Sequence, residues 1–593
     1  MKIDKIKTEH VIYCLLFVLA LFLRLFNLGD IPLNQPEASL AYRAFDISRG
    51  LGVDVAGQPA YVLLTGLLFM VFGSSDLLAR LLPAIAGSTL VWLPYFYRHR
   101  FGRVAAILAA FGLALDPGLV SISRQAGSPM LALTFTLFSI TAWMSGAPVW
   151  AGALGGLSLL SGPSAVFGWV VFGLTMALLT LLTGKKYQIA QKDQRTALWA
   201  GLIVLILVGT GFMRYPGGIT GVGQAVIAFI QGFGRLNGVP IMQVPLALLV
   251  YQPLPLLFAV IAFLLPLDAH GSSILKIEYY LLTAIGLLLL YPSRQIDGLI
   301  WAVVPLWGLA GMALAHLLPE NEKQTNSVMW SQAAVTIILF ALFWIQISAI
   351  TSVTHGDLRQ AVQLLFTFNF DQFNLLDLNT KNYIMRMAVL FLVPFLLILT
   401  TLMMGMGWSF REAKRGLIIG GVCSLLLYTF SVSRAAGQNR DAQVNELWRM
   451  GVAAGTADQM LSIVGDLSEW NTGQRQEIDV VYLVDSDWLH WYLRHFPQAR
   501  YKGQLNTGEL PSVVITTLDD QPASLMRAYR GQSFSLSQYP LWNTIPPNFP
   551  SWLVFREAPF ASEQAIIWAR LDLFPGDVNF SDGQSTFSFN ELP

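Results

Sequence analysis

The sequence predicts a polytopic, all-α membrane domain with about 13 transmembrane helices, followed by a soluble α/β domain. Hydrophobic residues make up 54% of the 593 residues, charged residues only 12%, and the mean hydropathy is +0.55. This composition excludes an ordinary soluble globular protein. Fourteen apolar runs cover most of the chain up to Ser433, and the composition changes abruptly beyond that residue. The predicted domains are therefore residues 1–433 and 434–593.

The number and orientation of the spans follow from the apolar runs and the basic residues between them. Lys2, Lys5 and Lys7 precede the first run, which predicts a retained span with a cytoplasmic N-terminus. Seven runs lie before Lys185 where an even number of crossings is needed, so one run is not a full span. The runs are 10–28, 60–74, 80–97, 103–116, 129–145, 148–161, 163–183, 196–212, 245–265, 275–291, 297–318, 329–350, 383–407 and 416–433.

The long polar connections are predicted to lie on the outer face of the membrane. Basic residues at Lys185–Arg195 and at Arg411–Arg415 are expected to stay in the cytoplasm. Alternation from these anchors makes the C-terminal domain extracytoplasmic. Any chemistry is therefore expected on the outer face. The outer loops are 29–59, 213–244 and 351–382.

The first outer loop and the second domain carry recognisable secondary-structure patterns. Ala38–Gly50 has apolar residues at helical spacing, which predicts a helix in the membrane interface. The second domain alternates apolar strands with amphipathic helices, which predicts an α/β unit. Its predicted strands are 478–484, 511–517 and 551–556, and its predicted helices are 485–494, 519–529 and 562–573.

Charge and cysteine content restrict the partners and the site chemistry. The net charge is +1 with a pI near 7.8, so nothing favours a nucleic-acid partner. Cys14 and Cys423 both lie in apolar runs, which leaves no disulfide framework and no Cys-based metal site. No His or carboxylate cluster has metal-ligand spacing, so we predict no metal ligands. A divalent cation would depend on Glu37 and partners from elsewhere in the chain.

Between residues 12 and 145 the sequence carries an ordered series of features. They are Leu23–Leu28, the pair Glu37-Ala38, Gln58–Tyr61, Phe72–Asp76 with Arg80, and Ser121–Arg124. This series resembles the GT-C superfamily of membrane glycosyltransferases, and within it family 39, the protein-mannosyltransferase and aminoarabinose-transferase type. The C-terminal part, with Trp491–Arg494, is similar to the outer domain of flippase-activity-associated glycosylation proteins.

The resemblance implies an inverting transferase that moves a sugar from a polyprenyl-phosphate donor to a glycan, lipid or protein acceptor on the outer face. Glu37 would be the catalytic carboxylate, as a base on the acceptor hydroxyl or a group that orients it. Cationic and polar side chains would hold the donor. The predicted substrate-binding residues are Gln58, Tyr61, Arg80, Arg124, Arg214, Tyr215, Arg235 and Trp491.

Three positions depart from the family pattern and keep an alternative open. Gln35 and Pro36 stand where the family has an additional Asp, Gln58 stands where a Lys or His meets the donor phosphate, and Ser128 stands where an Asp is frequent. These losses favour a non-catalytic relative that binds lipid-linked sugars or helps to translocate them. A transporter is disfavoured because the sequence has no repeat.

Each candidate residue also has a structural interpretation. Glu37 would cap the interfacial helix, and Arg80 and Arg124 would anchor span ends. The glycine-rich segment Arg214–Gly223 would be a re-entrant loop instead of a lid over a lipid phosphate. Trp491 would belong to a domain core unless it is exposed to stack on a sugar ring.

Overall fold

The computed structural model describes residues 2–52, 55, 57–127, 129–184, 191–264, 271–318, 327–351, 376–439, 443–449, 453–506, 508–518 and 528–574. For 2–7, 271–275, 453, 454 and 457 it describes only the backbone. The chain forms two compact units. The first comprises Met1–Ala454 with Ser537–Ala561, and the second comprises Gly455–Leu536 with Ser562–Pro593.

All 14 predicted apolar runs are helical, which confirms the all-α membrane domain. The predicted interfacial helix is also present, as α2. Up to residue 439 the helices of the described chain are α1 (Lys2–Leu25), α2 (Gln35–Ser48), α3 (Pro59–Phe72), α4 (Asp76–Thr89), α5 (Leu93–Phe101), α6 (Arg103–Leu115), α7 (Pro117–Ser123), α8 (Pro129–Met144), α9 (Pro148–Leu159), α10 (Pro163–Thr183), α11 (Gln191–Gly209), α12 (Thr220–Gln231), α13 (Gln243–Tyr251), α14 (Pro253–Leu264), α15 (Gly271–Leu290), α16 (Ile300–Leu317), α17 (Ser327–Thr351), α18 (Leu378–Met404) and α19 (Phe410–Gln438).

The chain is a multi-pass membrane protein. Among the described residues, six helical stretches are long and apolar enough to cross a bilayer. The pairs α6 with α7 and α13 with α14 are long and apolar enough only when each pair is taken together, and each pair is bent, as in a broken span or a re-entrant loop. One of the six stretches, Leu378–Gln438, has 61 residues and contains two consecutive helices, α18 and α19. The total of 13 spans stays a prediction.

The two bent helix pairs change direction at residues that precede a proline. The axes of α6 and α7 differ by 51° at Asp116, and those of α13 and α14 differ by 97° at Gln252. Proline cannot donate a backbone hydrogen bond, and it disfavours the helical conformation of the residue before it. Asp116 also caps α7, because its Oδ1 accepts the backbone N–H of Leu119 at 2.9 Å. The bend at Asp116 places α7 beside the site described below.

The core of the membrane domain depends on close packing between glycines and tryptophans. A Cβ atom at Gly168 would come within 2.0 Å of the Trp301 ring, and one at Gly112 within 2.0 Å of the Trp307 ring. Both indoles are almost completely buried. Because side chains larger than hydrogen would overlap these rings, glycine is required at both positions.

The second unit contains a mixed sheet. Strand β1 (Ala453–Ala454) pairs with β5 (Tyr529–Pro540), and the order continues with β6 (Phe560–Arg570), β4 (Val513–Thr517), β2 (Val480–Tyr482) and β3 (Arg500–Tyr501). β2 is parallel to β3 and β4, whereas β4 is antiparallel to β6. Helices α20 (Ala457–Thr472) and α21 (Asp487–Tyr492) belong to the same unit. The predicted strands 478–484 and 511–517 and helix 485–494 are confirmed, and most of the predicted helix 519–529 lies outside the described residues.

Two elements near the C-terminus were predicted with the wrong type. Residues 551–556 were expected to form a strand, but they lie mostly in helix α22 (Phe549–Phe555). Pro550 stands in its first turn, where proline favours helix initiation. Residues 562–573 were expected to form a helix, but β6 covers most of them. Ala565–Ala569 pair with β4 and are buried throughout, and such a continuous apolar run fits either type.

Candidate functional site

The start of α2 is fixed by a capping box in the first polar loop. Asn34 Oδ1 accepts the backbone N–H of Glu37 at 3.0 Å, and Glu37 Oε2 accepts the backbone N–H of Asn34 at 3.1 Å. The two side chains thus satisfy backbone donors that the first turn of a helix leaves unpaired. Pro36, in the first turn, needs no donor partner. The carboxylate of Glu37 is therefore held at the N-terminus of α2.

Glu37 also forms a buried bidentate ion pair with Arg80 of α4. Arg80 Nε donates to Oε1 at 2.9 Å, and Arg80 Nη2 donates to Oε2 at 2.7 Å. Glu37 is 1% exposed and Arg80 is 4% exposed. The backbone N–H of Ala126 adds a bond to Oε1 at 2.6 Å. The carboxylate thus accepts four hydrogen bonds, which is about the full capacity of its two oxygens.

The remaining donors of Arg80 bind the backbone of the first polar loop. Nη1 donates to the carbonyl oxygens of Leu28 and Ile31, and Nη2 donates to that of Pro32. A guanidinium has five N–H donors, and these contacts together with the pair to Glu37 use all of them. Arg80 therefore fastens the loop between α1 and α2 onto α4.

Arg124, at the C-terminal end of α7, joins the ends of α1 and α19. Its Nε donates to the carbonyl of Gly437 at 2.7 Å. Its two Nη atoms donate to four carbonyls at the end of α1, those of Leu23, Arg24, Phe26 and Asn27. These acceptors carry no formal charge. Burial, together with the neighbouring positive charge of Arg80, lowers the pKa of Arg124 to about 10.

A short polar segment beyond the last long helix packs against α7. It comprises residues 443–449, which we call the 443–449 segment. The carbonyl of Trp448 accepts bonds from Ser121 Oγ at 2.6 Å and from Gln125 Nε2 at 2.8 Å. The Trp448 ring is fully buried against Gly118, where a Cβ would come within 2.6 Å of it. The segment is thereby held beside the end of α7.

A buried polar cluster holds the 443–449 segment from its other side. Glu446 accepts a short hydrogen bond from Tyr251 Oη and one from Arg556 Nε at 3.3 Å. The guanidinium carbon of Arg556 also lies 5.0 Å from the Tyr251 ring centre. Glu446, Arg556 and Tyr251 are nearly or fully buried. We call these three residues the Glu446 cluster.

A small cavity lies where these elements meet. Its volume is about 40 Å³, which is room for only a few water molecules. Its walls carry three arginines, Arg80, Arg124 and Arg449, against a single carboxylate, that of Glu37. The full lining is Leu28, Ile31, Pro32, Asn34, Glu37, Arg80, Ser121, Arg124, Gln125, Ala436, Gly437, Gln443 and Arg449.

The balance of charge makes this cavity suitable for an anion. The charge of Arg80 is matched by Glu37, whereas the hydrogen bonds of Arg124 go to neutral carbonyls, with the carboxylate of Asp30 only partly opposing the lowered pKa of Arg124. Burial lowers the pKa of Arg449 to about 10, with Glu446 opposing the shift. Arg449 therefore stays protonated at neutral pH. The two further positive charges in a buried wall favour a negatively charged group such as a phosphate.

The structure brings together three of the predicted site residues and separates the others from them. Glu37, Arg80 and Arg124 line the cavity, but Gln58 and Tyr61 do not. Gln58 precedes α3 as its N-cap. Tyr61 is fully buried, and its Oη donates to the carbonyl of Ala79 at 2.7 Å. Tyr61 is therefore bound to protein backbone in this structure.

The predicted contacts from the 213–244 loop also lie outside the cavity wall. Arg214 is exposed, and its guanidinium lies 5.9 Å from the ring centre of Tyr215. Arg235 is exposed and donates to Gln231 Oε1 at 3.0 Å. Among the described residues, neither Arg214, Tyr215 nor Arg235 lines the cavity that Glu37 and Arg124 share. The loop 351–382 lies almost wholly outside the described residues.

In the second unit, Trp491 is placed for packing. Its side chain is fully buried, and the guanidinium of Arg494 lies 3.5 Å from the ring centre. The predicted stacking of a sugar on this ring would need an exposed face, which this conformation lacks.

Five polar lining residues were not predicted as site residues, namely Asn34, Ser121, Gln125, Gln443 and Arg449. Ser121 begins the matched segment Ser121–Arg124 and Gln125 follows it directly, so that segment could have indicated both. Gln443 and Arg449 follow the last apolar run, which ends at residue 433, by 10 and 16 residues, and no local pattern links them to α7. Within the described parts of the chain, no group of three or more His, Cys, Asp or Glu side chains is placed to hold a metal ion. Use of a divalent cation stays a prediction.

Comparison with solved structures identifies proteins with a similar fold. The chain is similar to ArnT from Cupriavidus metallidurans bound to undecaprenyl phosphate, with a TM-score of 0.53 and 15% identity, over 95% of this chain and 99% of that one. For the apo state of the same protein the TM-score is 0.54 and the identity 14%, with the same coverage. The oligosaccharyltransferase AglB from Archaeoglobus fulgidus, in complex with an inhibitory peptide and a dolichol-phosphate, aligns with a TM-score of only 0.35, at 13% identity over 87% of this chain and 70% of that one.

The similarity to ArnT confirms the predicted GT-C fold along nearly the whole chain. At 14 to 15% identity it establishes the fold alone. No family model matches the sequence, and no curated protein matches it.

Proposed function

We propose that this chain is a membrane glycosyltransferase that takes a sugar from a polyprenyl-phosphate donor and passes it to an acceptor on the outer face of the membrane. The observation that carries the proposal is the cavity in which three arginines face one carboxylate. It occurs in a chain that shares its fold with ArnT, which was solved with undecaprenyl phosphate. A buried, positively charged wall is suited to the phosphate of such a lipid.

The position of the basic residues supports an outer location for the cavity. Glu9, near the start of α1, lies 3.6 Å from Arg98 and 3.9 Å from Arg103, whereas the cavity lies at the other end of α1. Likewise, Arg411 and its basic neighbours begin α19, whose far end contributes Gly437 to the cavity wall. Both basic groups are therefore at the end opposite the cavity. Because basic loops stay in the cytoplasm, the cavity belongs to the outer side.

The chemistry proposed for the site is displacement of the lipid phosphate. The bond between the anomeric carbon and the phosphate oxygen breaks, an acceptor oxygen forms the new bond to that carbon, and the acceptor proton leaves to a base. Arginines stabilise the negative charge that develops on the departing phosphate. Among the described residues, Glu37 is the only carboxylate in the wall, and it would have to leave Arg80 to accept a proton. We therefore propose that Glu37 positions Arg80 and the first polar loop in the state described here.

The size of the cavity indicates that ligand binding requires movement of its wall. About 40 Å³ accommodates neither a sugar nor a phosphate with its first linked groups. Arg80 and Arg124 are fixed by many hydrogen bonds to backbone carbonyls, so the opening would have to come from other parts of the wall. We propose that the state described here is closed.

Transfer is tested by incubating the purified full chain in nanodiscs with radiolabelled polyprenyl-phosphate sugars and a cell-envelope acceptor fraction. We expect label to move into the acceptor fraction while free polyprenyl phosphate accumulates, because the phosphate is the leaving group. Heat-inactivated protein is the control. Absence of both transfer and binding of every lipid-linked sugar tested would contradict the proposal.

A second candidate function is binding or assisted translocation of lipid-linked sugars without transfer. The observation that favours it is the full set of hydrogen bonds on Glu37, which leaves no unoccupied carboxylate in the cavity wall. In the same experiment, this function predicts saturable binding of the lipid-linked sugar with no label in the acceptor fraction.

A further inference from the structure

The bend between α6 and α7 leaves backbone groups of both helices without their usual helical partners. Pro117 has no N–H to donate to the carbonyl of Leu113, which lies four residues earlier. The first N–H groups of α7 likewise have no preceding turn of helix to bind. Inside a bilayer, water cannot supply these hydrogen bonds, so other parts of the protein must do so.

Arg24 of α1 binds the end of α6. Its Nη2 donates to the carbonyl of Leu113 at 3.2 Å, and its Nη1 donates to the carbonyls of Ala114 at 3.1 Å and Ala20 at 3.2 Å. The carbonyl that Pro117 leaves without a helical donor therefore finds a donor on α1. Because Arg24 is fully buried, these bonds are formed away from solvent.

Asp116 binds the start of α7 and connects it to α16. Its Oδ1 accepts the backbone N–H of Leu119 at 2.9 Å, and its Oδ2 accepts the Nε1–H of Trp307 at 2.7 Å. The indole is itself held in place, because its ring packs directly against Gly112 of α6. Asp116 is fully buried as well. Its carboxylate thus fixes the first turn of α7 relative to α16.

The charges of Arg24 and Asp116 stabilise each other at the bend. They are close enough to interact electrostatically, which offsets part of the cost of burying both. Ser123 provides a further link, since its Oγ accepts the Nε–H of Arg24 at 3.2 Å and donates to the carbonyl of Leu119. The two charged side chains therefore join α1, α6, α7 and α16 around the bend.

The direction of α7 determines where part of the cavity wall lies. This helix begins beside Asp116, and Ser121, Arg124 and Gln125 reach the wall from its far end. Eight residues separate Asp116 from Arg124, which is about 12 Å along a helix, so a turn of about 10° would move Arg124 by about 2 Å. The bond from Arg124 to Gly437, now 2.7 Å long, would not survive that displacement.

We infer that Asp116, with Arg24 as its partner at the bend, is a positioning residue for binding of the donor phosphate. Among the described residues that line the cavity, neither of the two is present. They act by fixing the direction of α7 and, with it, the places of Arg124 and Gln125 in the wall. The inference rests on the proposed function. Loss of the Asp116 carboxylate should therefore affect recognition of the phosphate more than binding of the lipid chain.

The test compares the affinity of full-length variants in nanodiscs for undecaprenyl phosphate and for the uncharged alcohol undecaprenol. We expect Asp116→Ala to weaken binding of undecaprenyl phosphate about tenfold and to change binding of undecaprenol by less than about twofold. Asp116→Asn keeps one carbonyl oxygen, which can accept from Leu119 or from Trp307 but not from both in the present geometry. It should therefore lose about threefold in affinity for undecaprenyl phosphate.

Gly168→Ala is the matched control for a loss of stability alone. The added methyl group would overlap the ring of Trp301, yet α10 contributes none of the described residues that line the cavity. This variant should unfold at a lower temperature than the wild type while keeping the wild-type ratio of the two affinities.

The outcomes separate this inference from the proposed function. If the wild type binds the two lipids equally well, the proposed function itself fails. If the wild type prefers undecaprenyl phosphate and both folded Asp116 variants keep the full preference, the proposed function stands and the inference is overturned. An equal loss of both lipids also overturns the inference, because Asp116 would then support only the fold. If Asp116→Ala does not fold, Asp116→Asn alone decides between these results.

Discussion

Replacing Glu37 with Gln is expected to lower the free energy of unfolding by about 3 to 5 kcal/mol, which is the usual effect of removing one partner of a buried ion pair. The substitution leaves the Arg80 guanidinium, 4% exposed, without its counter-charge. It also weakens the bond from Ala126 and half of the capping box of α2. Thermal unfolding of the purified protein in detergent, followed by its tryptophan fluorescence, measures the change.

A double-variant cycle distinguishes this pairing from a general effect of the substitution. Glu37→Gln combined with Arg80→Gln should cost less than the sum of the two single changes, because no buried charge is left unpaired. Glu469→Gln, which breaks an exposed pair with Arg475, should shift the midpoint by very little. Additive effects of the two buried substitutions would show that the pair is not coupled as described.

Replacing Arg556 with Met is expected to destabilise the protein by a similar amount, about 3 to 5 kcal/mol, and to impair donor binding as well. Glu446 is 4% exposed, and without Arg556 its carboxylate keeps only the hydroxyl of Tyr251 among the members of the Glu446 cluster. The 443–449 segment would lose one of its two anchors, so the position of Arg449 would become less defined. Unfolding midpoints and the affinity for undecaprenyl phosphate measure the two effects.

The companion variant for this prediction removes both charges of the pair. Glu446→Gln combined with Arg556→Met should recover much of the lost stability, since a buried pair can be replaced by neutral groups at little cost. Recovery of affinity should follow recovery of stability if the Glu446 cluster acts by positioning Arg449. A stable double variant that still fails to bind the lipid would require a direct role for one of these side chains.

The architecture of the membrane domain was predictable because each apolar run carries its own signal. A run such as 163–183 matches its helix to the residue, since both ends are set by local chemistry, Pro163 at the start and Gly184 at the end. The bends in the two helix pairs were only partly predictable from the sequence. The bend at Gln252 falls before Pro253, yet the sequence cannot indicate that the axes change direction by 97°.

The two elements predicted with the wrong type show where local patterns fail. Residues 565–569 are apolar on consecutive positions, so no period separates helix from strand. Their pairing with Val513–Thr517 makes them a strand, and it joins residues that are about 50 positions apart in the sequence.

The part of the site that comes from the N-terminal third of the chain was predictable from the sequence, whereas the part that comes from the 443–449 segment was not. Glu37, Arg80 and Arg124 belong to the ordered series that resembles a known family, so the resemblance alone predicts that they share a site. No sequence pattern indicates, however, that Arg80 binds both oxygens of the Glu37 carboxylate. Arg449 was missed because its contribution depends on the contacts of Trp448 with Ser121 and Gln125, more than 300 residues earlier in the chain.

The most direct test of the central claim is the position of the lipid phosphate in a density map of the full chain reconstituted in nanodiscs with undecaprenyl phosphate. We predict phosphate density in the cavity between the first polar loop and Gly437, beside the arginines of its wall. The cavity should be wider than the roughly 40 Å³ of the closed state. Phosphate density beside Arg214 and Tyr215, with the cavity unchanged, would contradict the account.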